Sequence, residues 1–301
     1  MLRYNKQLMT IALQPSKEEQ KMNRTEEIRK LLKITPAEMK KKAKGRLLIL
    51  KDLDAVHEHC ADSIADEIAG NNKKKRPTVL ILPVGPVGQY PILLERINKE
   101  RISLRNCHFF FMDENCNDNG RVIPKTHPLS FRGLMEKTFF RHIRKELMIP
   151  KEQLVFPDHL NVQTLTRRID DLGGIQTCYG GIGLHGHVAF NEPEPNVENS
   201  DPRLVYLNDF TVTINAVRAH VGGNLITFPR KAVTLGMRQI LGAKRIRLYC
   251  RNGIDLDWAN SVLRLALFGR PDWDYPVTFI RGRNYLVVTD TDTARRPKYV
   301  I

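Results

Sequence analysis

The chain has 301 residues, of which 42% are hydrophobic, and its formal net charge at pH 7 is +15. This length permits one large or two small domains, and no run approaches the roughly 18 apolar residues that a membrane helix needs. Five cysteines without CxxC spacing indicate free thiols rather than disulfides or a zinc site, and the N-terminus lacks a signal-peptide pattern, which predicts a cytoplasmic protein.

The positive charge is concentrated near the N-terminus. Residues 1–50 contain thirteen Lys or Arg against five Asp or Glu. The basic runs KKKAKGR, KKKR and RRPK lack the interleaved aromatic residues of a stacking surface, so we do not expect a nucleic-acid site. A solvated surface or an oligomer contact is the preferred interpretation, and attraction of anionic sugar phosphates is the alternative.

Strand and helix patterns alternate along most of the chain. Thr35–Glu38 has the form of a capping box that opens a short basic helix. The predicted strands are Leu47–Leu50, Thr78–Leu82, Cys107–Met112, Gln176–Tyr179, Ile246–Cys250 and Tyr285–Thr289. The predicted helices are Val56–Gly70, Leu129–Arg144, Leu160–Leu172, Lys231–Leu241 and Leu256–Phe268.

This alternation predicts an α/β fold. Repeated βα units favour a Rossmann-like, mainly parallel sheet with helices on both faces. We place this domain at residues 47–301 and assign residues 1–46 to a basic, helical N-terminal extension.

A glycine-containing turn, PVGPVGQYP, follows the strand Thr78–Leu82 and precedes a helical pattern. A strand, a turn and a helix N-terminus in this order can bind an anion through free backbone N–H groups. Gly85 and Gly88 are the candidate phosphate contacts. An ordinary βα connection has the same pattern and is the alternative.

Two acidic residues, Asp113 and Glu114, follow the apolar strand Cys107–Met112. Open α/β sheets bind ligands at the carboxyl ends of their strands, so both carboxylates are candidate catalytic groups. On these residues alone, an acidic surface turn remains the alternative. A calcium loop is excluded because its twelfth position would be Thr126 rather than Glu.

The stretch GGIGLHGHVAFNEP, Gly180–Pro193, contains four glycines, two histidines and one glutamate. Glycine at this density disfavours both helix and strand and lets backbone amides approach a ligand. Histidine and glutamate side chains can transfer protons near neutral pH. The candidate site residues are Gly181, Gly183, His185, His187 and Glu192.

Three motifs together resemble the glucosamine-6-phosphate deaminase (isomerase) family. They are Phe109–Asn115 (FFFMDEN), His127–Phe140 (HPLSFRGLMEKTFF) and Gly180–Pro193, and the resemblance extends from about Leu47 to Thr293. It implies an enzyme that isomerises an amino sugar phosphate and releases a ketose phosphate and ammonia, without a cofactor. The family forms closed oligomers, so a small sugar phosphate and further copies of the chain are the expected partners.

The resemblance also implies roles for individual residues. Asp113 matches the family's proton-abstracting base, and His187 with Glu192 matches its ring-opening pair. His185 stands where the family usually has an aspartate, and Glu114 is the second acidic residue of the first motif. These five residues form the predicted catalytic group.

The phosphate-binding positions depart from the family pattern. Residues 84–87 read Val-Gly-Pro-Val where the family has Thr-Gly-Gly-Thr, and Asp255 occupies the place of a phosphate-binding lysine. Arg218 matches the family's phosphate arginine only with a one-residue gap. A different sugar phosphate, or binding without turnover, therefore fits the same residues.

Two other kinds of site have partial sequence signals. His185, His187 and Glu192 also match the HxH(x)4E spacing of a cupin metal site. The second cupin motif is absent and strands alternate with helices, so we predict no metal ion. Neither glycine-rich loop spells GxGxxG, which disfavours a dinucleotide site.

Overall fold

The structure is a computed structural model that describes residues 22–252 and 257–301. Residues 1–21 of the predicted extension and the lysine-replacing Asp255 lie outside this part. Within it, no helix is both long enough and apolar enough to cross a membrane.

The helices are α1 (Arg24–Leu32), α2 (Pro36–Ala43), α3 (Leu53–Lys73), α4 (Gln89–Glu100), α5 (Phe131–Thr138), α6 (Leu165–Asp171), α7 (Asp209–Arg218), α8 (Met237–Leu241) and α9 (Ala259–Phe268). The strands are β1 (Leu47–Leu50), β2 (Thr78–Leu82), β3 (Cys107–Phe111), β4 (Asp113–Cys116), β5 (Leu154–Val155), β6 (Thr177–Gly181), β7 (Arg203–Tyr206), β8 (Lys231–Thr234), β9 (Arg245–Tyr249) and β10 (Tyr285–Asp290).

Seven strands form one sheet in the order β1-β10-β9-β6-β2-β3-β5. Every neighbouring pair in it is parallel, which confirms the predicted Rossmann-like sheet. From β2 the chain moves to β3 and β5 on one side, whereas from β6 it moves to β9 and β10 on the other. The crevice between the carboxyl ends of β2 and β6 is therefore the place where such sheets bind ligands.

Two apolar cores lie on opposite faces of this sheet because successive strand residues point in opposite directions. In β2, Val79 and Ile81 belong to one core and Leu80 and Leu82 to the other. Helices α2, α6, α8 and α9 contribute to the first core, and α3, α4 and α5 contribute to the second. The prediction of helices on both faces is confirmed.

A second, antiparallel sheet has the order β4-β8-β7. The sequence prediction of one helix over Lys231–Leu241 was wrong, because residues 231–234 form strand β8 and only Met237–Leu241 is helical. The β-branched Val233 and Thr234 favour a strand. Gly236 lies with its α-carbon against the carbonyl of Ser200, so the chain turns there.

Two predicted helices are shorter than expected. Leu129–Arg144 is reduced to α5, which begins after its cap Ser130 and ends at Thr138. After the helix the chain forms a short 3₁₀ turn over Phe140–His142, where Phe139 and Phe140 are both buried. Leu160–Leu172 begins as a 3₁₀ turn and becomes α-helical only at Leu165.

The N-terminal helices pack on the domain. The predicted capping box is confirmed, since Thr35 and Glu38 exchange both of its hydrogen bonds. Met39 of α2 is fully buried in the first core, and Arg24 of α1 forms two hydrogen bonds with Asp274, of 2.6 and 2.8 Å. The division of the chain at residue 46 remains a prediction, although both of these helices contact the domain.

The buried Arg264 of α9 links the N-terminal segment to the domain through hydrogen bonds. Its guanidinium donates to the carbonyl of Ile34 at 2.8 and 2.9 Å and to that of Ala294 at 3.1 Å. Arg264→Met would leave these buried carbonyls without donors, at about 1–3 kcal/mol each. We therefore expect the free energy of unfolding to fall by roughly 2–4 kcal/mol in urea titrations.

Arg167→Met is the matched control, because the Arg167 side chain is 88% exposed and forms only a 3.7 Å surface ion pair. It should change stability by less than about 0.5 kcal/mol. Equal unfolding midpoints for the two variants would contradict the fastening role of Arg264.

Candidate active site

A cavity of about 590 Å³ opens at the carboxyl ends of four neighbouring strands. Gly85 lines it after β2, Asp113 after β3, Gly181 at the end of β6 and Arg251 after β9. It lies at the crevice between the carboxyl ends of β2 and β6, where the strand order predicts a ligand site. The sequence predicted the first three of these contributors.

Asp113 is the first residue of β4 and only 7% of its surface is exposed. Burial, and to a smaller extent the neighbouring Glu114, raises the pKa of its carboxyl group from 3.8 to about 8. The charged and neutral forms of the carboxyl group are therefore equally populated near pH 8, and the neutral form predominates at pH 7. Such a group can take up a proton and return it.

Glu114 points away from this cavity and anchors helix α5. Its carboxylate accepts hydrogen bonds from the backbone N–H groups of Phe131 and Arg132 and from the Ser130 hydroxyl, at 2.8–3.1 Å. Burial raises its pKa, while these hydrogen bonds oppose the change. Glu114 thus holds the helix N-terminus and does not line the cavity.

The loop after β6 is held by buried hydrogen bonds. The Asn191 side-chain amide donates to the carbonyls of Val188 and Leu235, at 3.0 and 2.9 Å. The backbone N–H of Phe190 donates to the Thr234 hydroxyl at 3.1 Å. Phe190 and Asn191 therefore attach the loop that carries the histidines to the end of β8.

His187 faces the cavity from this loop. Burial, with smaller contributions from His185 and Arg218, lowers the pKa of its imidazole to about 3. The ring is therefore neutral under ordinary conditions, and one of its nitrogens can accept a proton. Its Nε2 lies against Gly183, where an added β-carbon would come within 1.9 Å of it.

His185 and Glu192 lie beside His187 and share one neighbour, Asn208. The two imidazole centroids are 4.9 Å apart. The Asn208 side-chain nitrogen lies 2.6 Å from Nε2 of His185, and its backbone N–H donates to Oε2 of Glu192 at 2.6 Å. Asn208 therefore contacts both Glu192 and His185.

The four predicted glycines differ in what they do. Gly85, Gly181 and Gly183 line the cavity. The loops that contain Gly85 and Gly181 approach each other closely, because a β-carbon on Gly181 would lie 2.9 Å from the Gly85 carbonyl oxygen. Gly88 instead caps α4 and packs on the imidazole of His57, outside the cavity lining.

Two arginines face the cavity together. Arg218 ends α7 and Arg251 follows β9, and both line the cavity with Trp258. Burial and the charge of Arg251 lower the pKa of Arg218 to about 10, and burial also lowers the pKa of Arg251. Neither guanidinium forms a salt bridge within residues 22–252 and 257–301. An anion in the cavity would relieve their mutual repulsion.

Sequence reasoning found Arg218 but missed Arg251 and Trp258. Trp258 packs on Arg218, with the guanidinium carbon 5.7 Å from the ring centroid, and its buried Nε1 has no partner among the described residues. Arg251 could have been found from the sequence, because it follows the predicted strand Ile246–Cys250 as Asp113 follows Cys107–Met112.

Comparison with known proteins adds sequence relatives and solved structures. No protein-family model matches the chain. A glucosamine-6-phosphate deaminase of Phocaeicola vulgatus is 31% identical over 242 residues, 74% of this chain and 89% of the relative. One of Borreliella afzelii is 33% identical over 242 residues, 73% of this chain and 86% of the relative.

The fold has solved counterparts. A structure of a monomeric glucosamine-6-phosphate deaminase has a TM-score of 0.71 at 25% identity and covers 83% of this chain and 98% of its own. The 6-phosphogluconolactonase of Thermotoga maritima has a TM-score of 0.60 at 18% identity, over 81% of this chain and 98% of its own, and shows the fold alone. With the relatives aligned over most of their length and the three motifs in one cavity region, the chain belongs to the glucosamine-6-phosphate deaminase family.

Proposed function

We propose that this protein converts glucosamine 6-phosphate, or a close amino sugar phosphate, to a ketose phosphate and ammonia. The observation that carries this proposal is that Asp113, His187, Arg218 and Arg251 line one cavity. They supply a base, a neutral proton carrier and two positive charges for a phosphate. Binding without turnover would not need a carboxyl group and a histidine in the same cavity as the two arginines.

Asp113 acts as the base. Its carboxylate takes the proton from C2 of the open-chain aldose, the electrons of the broken C–H bond form a C1–C2 double bond, and the aldehyde oxygen takes a proton from a water molecule. The same carboxyl group returns its proton to C1, and the nitrogen gives one proton to the hydroxide left by that water, which leaves an imine at C2. Water adds to this imine, and the C–N bond breaks to release ammonia and the ketone. The raised pKa suits a group that both accepts and donates.

His187 opens the sugar ring. A neutral imidazole accepts the proton of the C1 hydroxyl and delivers a proton to the ring oxygen, so the C1–O bond of the ring breaks and the aldehyde forms. Its pKa of about 3 keeps the acceptor nitrogen free at neutral pH. Glu192 supports the imidazolium that forms transiently, because opposite charges stabilise each other at short range.

Arg218 and Arg251 bind the substrate phosphate. Their guanidinium groups present planar pairs of N–H donors, which match phosphate oxygens. Gly85 lies on the same cavity wall and adds a turn that a phosphate can approach closely. This arginine pair supplies the positive charge that the substitution of the family's lysine removes.

Ammonia release across a panel of sugars tests the proposal directly. We expect turnover of glucosamine 6-phosphate, weaker turnover of glucosamine, and a ketose phosphate formed in amounts equal to the ammonia. Phosphate esters that bind without releasing ammonia would instead favour a sugar-phosphate sensor.

Gly183→Ala tests the placement of His187. The added β-carbon would lie 1.9 Å from Nε2, so the ring must move, and misplacement of a catalytic group by about 1 Å can cost roughly a hundredfold in rate. Stability should change little, because only the end of a side chain is displaced. Gly70→Ala is the control, since no atom lies within 4 Å of its β-carbon position. Full activity of Gly183→Ala would remove His187 from the reaction.

The homo-oligomer and the cytoplasmic location remain predictions. Several large apolar side chains are exposed around β7 and α7, among them Tyr206 at 72% and Phe210 at 68%, and such a group of side chains is typical of protein contacts. The solved deaminase of similar fold is described as monomeric. Sedimentation at micromolar concentration should show an oligomer, and a monomer alone would contradict it.

A further inference from the structure

Basic side chains collect at the edge of the main sheet where its parallel strands begin, opposite the edge where the cavity opens. Exposed lysines and arginines lie in the segments that lead into four of these strands. They are Arg46 before β1, Arg283 before β10, Lys244 before β9, and Lys73, Lys74 and Arg76 before β2. We call these six residues the basic edge.

The basic edge is continuous because its segments are neighbours in the sheet. Strands β1, β10 and β9 are adjacent, and β2 follows after β6. The Arg46 guanidinium carbon lies 5.2 Å from the ring centroid of Tyr285, the first residue of β10. The Lys244 backbone N–H donates to the carbonyl of Ile175, just before β6, at 3.0 Å. Strands lie about 4.8 Å apart, so the four spacings from β1 to β2 span roughly 19 Å.

The charges of the basic edge are not neutralised by neighbouring carboxylates. In the part of the chain that the structure describes, none of its six residues forms a salt bridge. Glu67 lies at the same edge, but Arg245 pairs with it at 2.5 Å. The hydroxyls of Thr177 and Tyr179 also donate to the Glu67 carboxylate, each at 2.9 Å. A row of uncompensated positive charge attracts a partner with repeated negative charges.

The surroundings of the basic edge indicate which polyanion it fits. The large apolar side chains that are exposed among the described residues, such as Tyr206, Phe210 and Ile226, lie outside the segments that lead into these strands. The edge therefore has no apolar groups to insert into a membrane and no exposed aromatic rings to stack on unpaired bases. A nucleic-acid duplex keeps its bases stacked inside and presents its phosphates outside. Its phosphates follow at about 3.4 Å along each strand, so roughly 19 Å corresponds to about five phosphates.

We propose that the basic edge binds the phosphate backbone of a nucleic-acid duplex, independently of base sequence. Lysine and arginine contacts to phosphates supply essentially all of the affinity of such binding. The sequence argument against a nucleic-acid site concerned stacking on aromatic residues, which a duplex does not require. Because the cavity opens at the opposite edge of the sheet, this second function is separate from the proposed deaminase reaction.

The test is a titration of a labelled DNA duplex of about 20 base pairs and mixed sequence with the full chain, followed by fluorescence anisotropy at several salt concentrations. The logarithm of the association constant should fall linearly with the logarithm of the salt concentration. Each neutralised phosphate contributes about −0.9 to the slope, so about five phosphates predict a slope of roughly −4 to −5.

Two double variants remove charges from different parts of the basic edge. Lys244→Gln with Arg283→Gln, and Lys73→Gln with Lys74→Gln, should each reduce the magnitude of the slope by about two. Each should also raise the dissociation constant at about 0.1 M salt by roughly tenfold or more. All four side chains are exposed, so the variants should fold, which thermal unfolding verifies.

Lys51→Gln with Arg121→Gln is the matched control. Both side chains are exposed, and they lie on the cavity side of the molecule, Lys51 after β1 and Arg121 in the turn after β4. This variant loses the same net charge as the other two. It should keep the wild-type slope if the duplex lies on the basic edge.

The proposal is overturned if the wild type does not bind the duplex at about 50 mM salt, where phosphate contacts are strong. It is also overturned if the control reduces the slope as much as the edge variants do, because the net charge alone would then explain binding. Vesicles of anionic lipid that bind through the same residues while the duplex does not would assign the edge to a membrane surface instead. Ammonia release should be the same in the edge variants and the wild type. Duplex binding without any ammonia release would refute the proposed function and leave this inference standing.

Discussion

Asp113→Asn should reduce the rate of ammonia release by two to four orders of magnitude, the range lost with a positioned general acid or base. The amide has nearly the same shape as the carboxyl group but cannot take the C2 proton. The Michaelis constant should change much less than kcat, because Asp113 acts on the reacting carbon and not on the phosphate. Steady-state kinetics with glucosamine 6-phosphate measure both quantities.

Asp118→Asn provides the comparison, since residue 118 is exposed in the turn after β4. It should retain full activity. Turnover of Asp113→Asn within a few-fold of the wild type would exclude Asp113 as the base. Equal losses in both variants would point to assay or folding effects instead.

The pH dependence of the wild type follows from the same carboxyl group. Because its folded-state pKa is about 8, the carboxylate form that accepts the proton decreases as the pH falls below 8, and kcat/KM should decrease with it. A profile that is flat between pH 6 and 8 would contradict this assignment of the base.

The stability of the folded protein should decrease with rising pH, whereas kcat/KM increases. The folded pKa lies above the unfolded value of 3.8, so between these two values the folded protein binds a proton that the unfolded chain has released. The free energy of unfolding therefore falls as the pH rises through this window, and the loss is complete above about pH 8. Asp113→Asn has no carboxyl group that must ionise in the protein interior. It should therefore melt a few degrees higher than the wild type at pH 9.

The sequence predicted the parallel sheet because its signals are local. Strands β2 and β3 are continuous apolar runs, and Val56, Cys60, Ile64 and Ile68 recur at helical spacing in α3. The second sheet was missed because its four-residue strands β4, β7 and β8 contain polar residues, whereas the equally short β1 is wholly apolar. A strand of this length is defined by its pairing partner, which lies far away in the sequence.

The candidate site was predictable where the reactive residues lie within a sequence motif. Asp113, His187 and Gly183 all line the cavity, as their motifs indicated. Glu114 shows the limit of this reasoning, because a carboxylate next to a base in sequence can point to the other side of the strand. The direction alternates along a strand, and in Glu114 it leads to the N-terminus of α5.

The sequence did not predict the pairing of Arg218 with Arg251, for a different reason. Arg251 belongs to no motif, and alignment of the late loop drew attention to Asp255 instead. The meeting of Arg251 with Arg218 depends on the fold, since 33 positions of the numbering separate them and one ends a helix while the other follows a strand. Because they line one cavity, the proposed phosphate site has two cations where the family has a lysine and an arginine.

Arg251→Ala should raise the Michaelis constant for glucosamine 6-phosphate by roughly 10–100-fold, because a hydrogen bond to a charged group contributes about 1.5–3 kcal/mol. Activity on glucosamine, which has no phosphate, should change little. Arg251→Lys keeps the charge but loses the planar fork of donors, so it should lie between the wild type and Arg251→Ala. Equal losses on the phosphorylated and the unphosphorylated sugar would place Arg251 outside the phosphate site.

Thermal unfolding without any substrate separates this role from catalysis. Burial and the charge of Arg251 lower the pKa of Arg218 to about 10, which means that the folded protein holds two repelling cations at neutral pH. Arg251 also lies near the buried Asp290, whose charge favours the guanidinium, so Arg251→Ala should change the melting temperature of the ligand-free protein little. Inorganic phosphate should bind between the two arginines of the folded wild type and so raise its melting temperature with concentration. In Arg251→Ala the same phosphate should have a much smaller effect, because only one guanidinium remains to bind it.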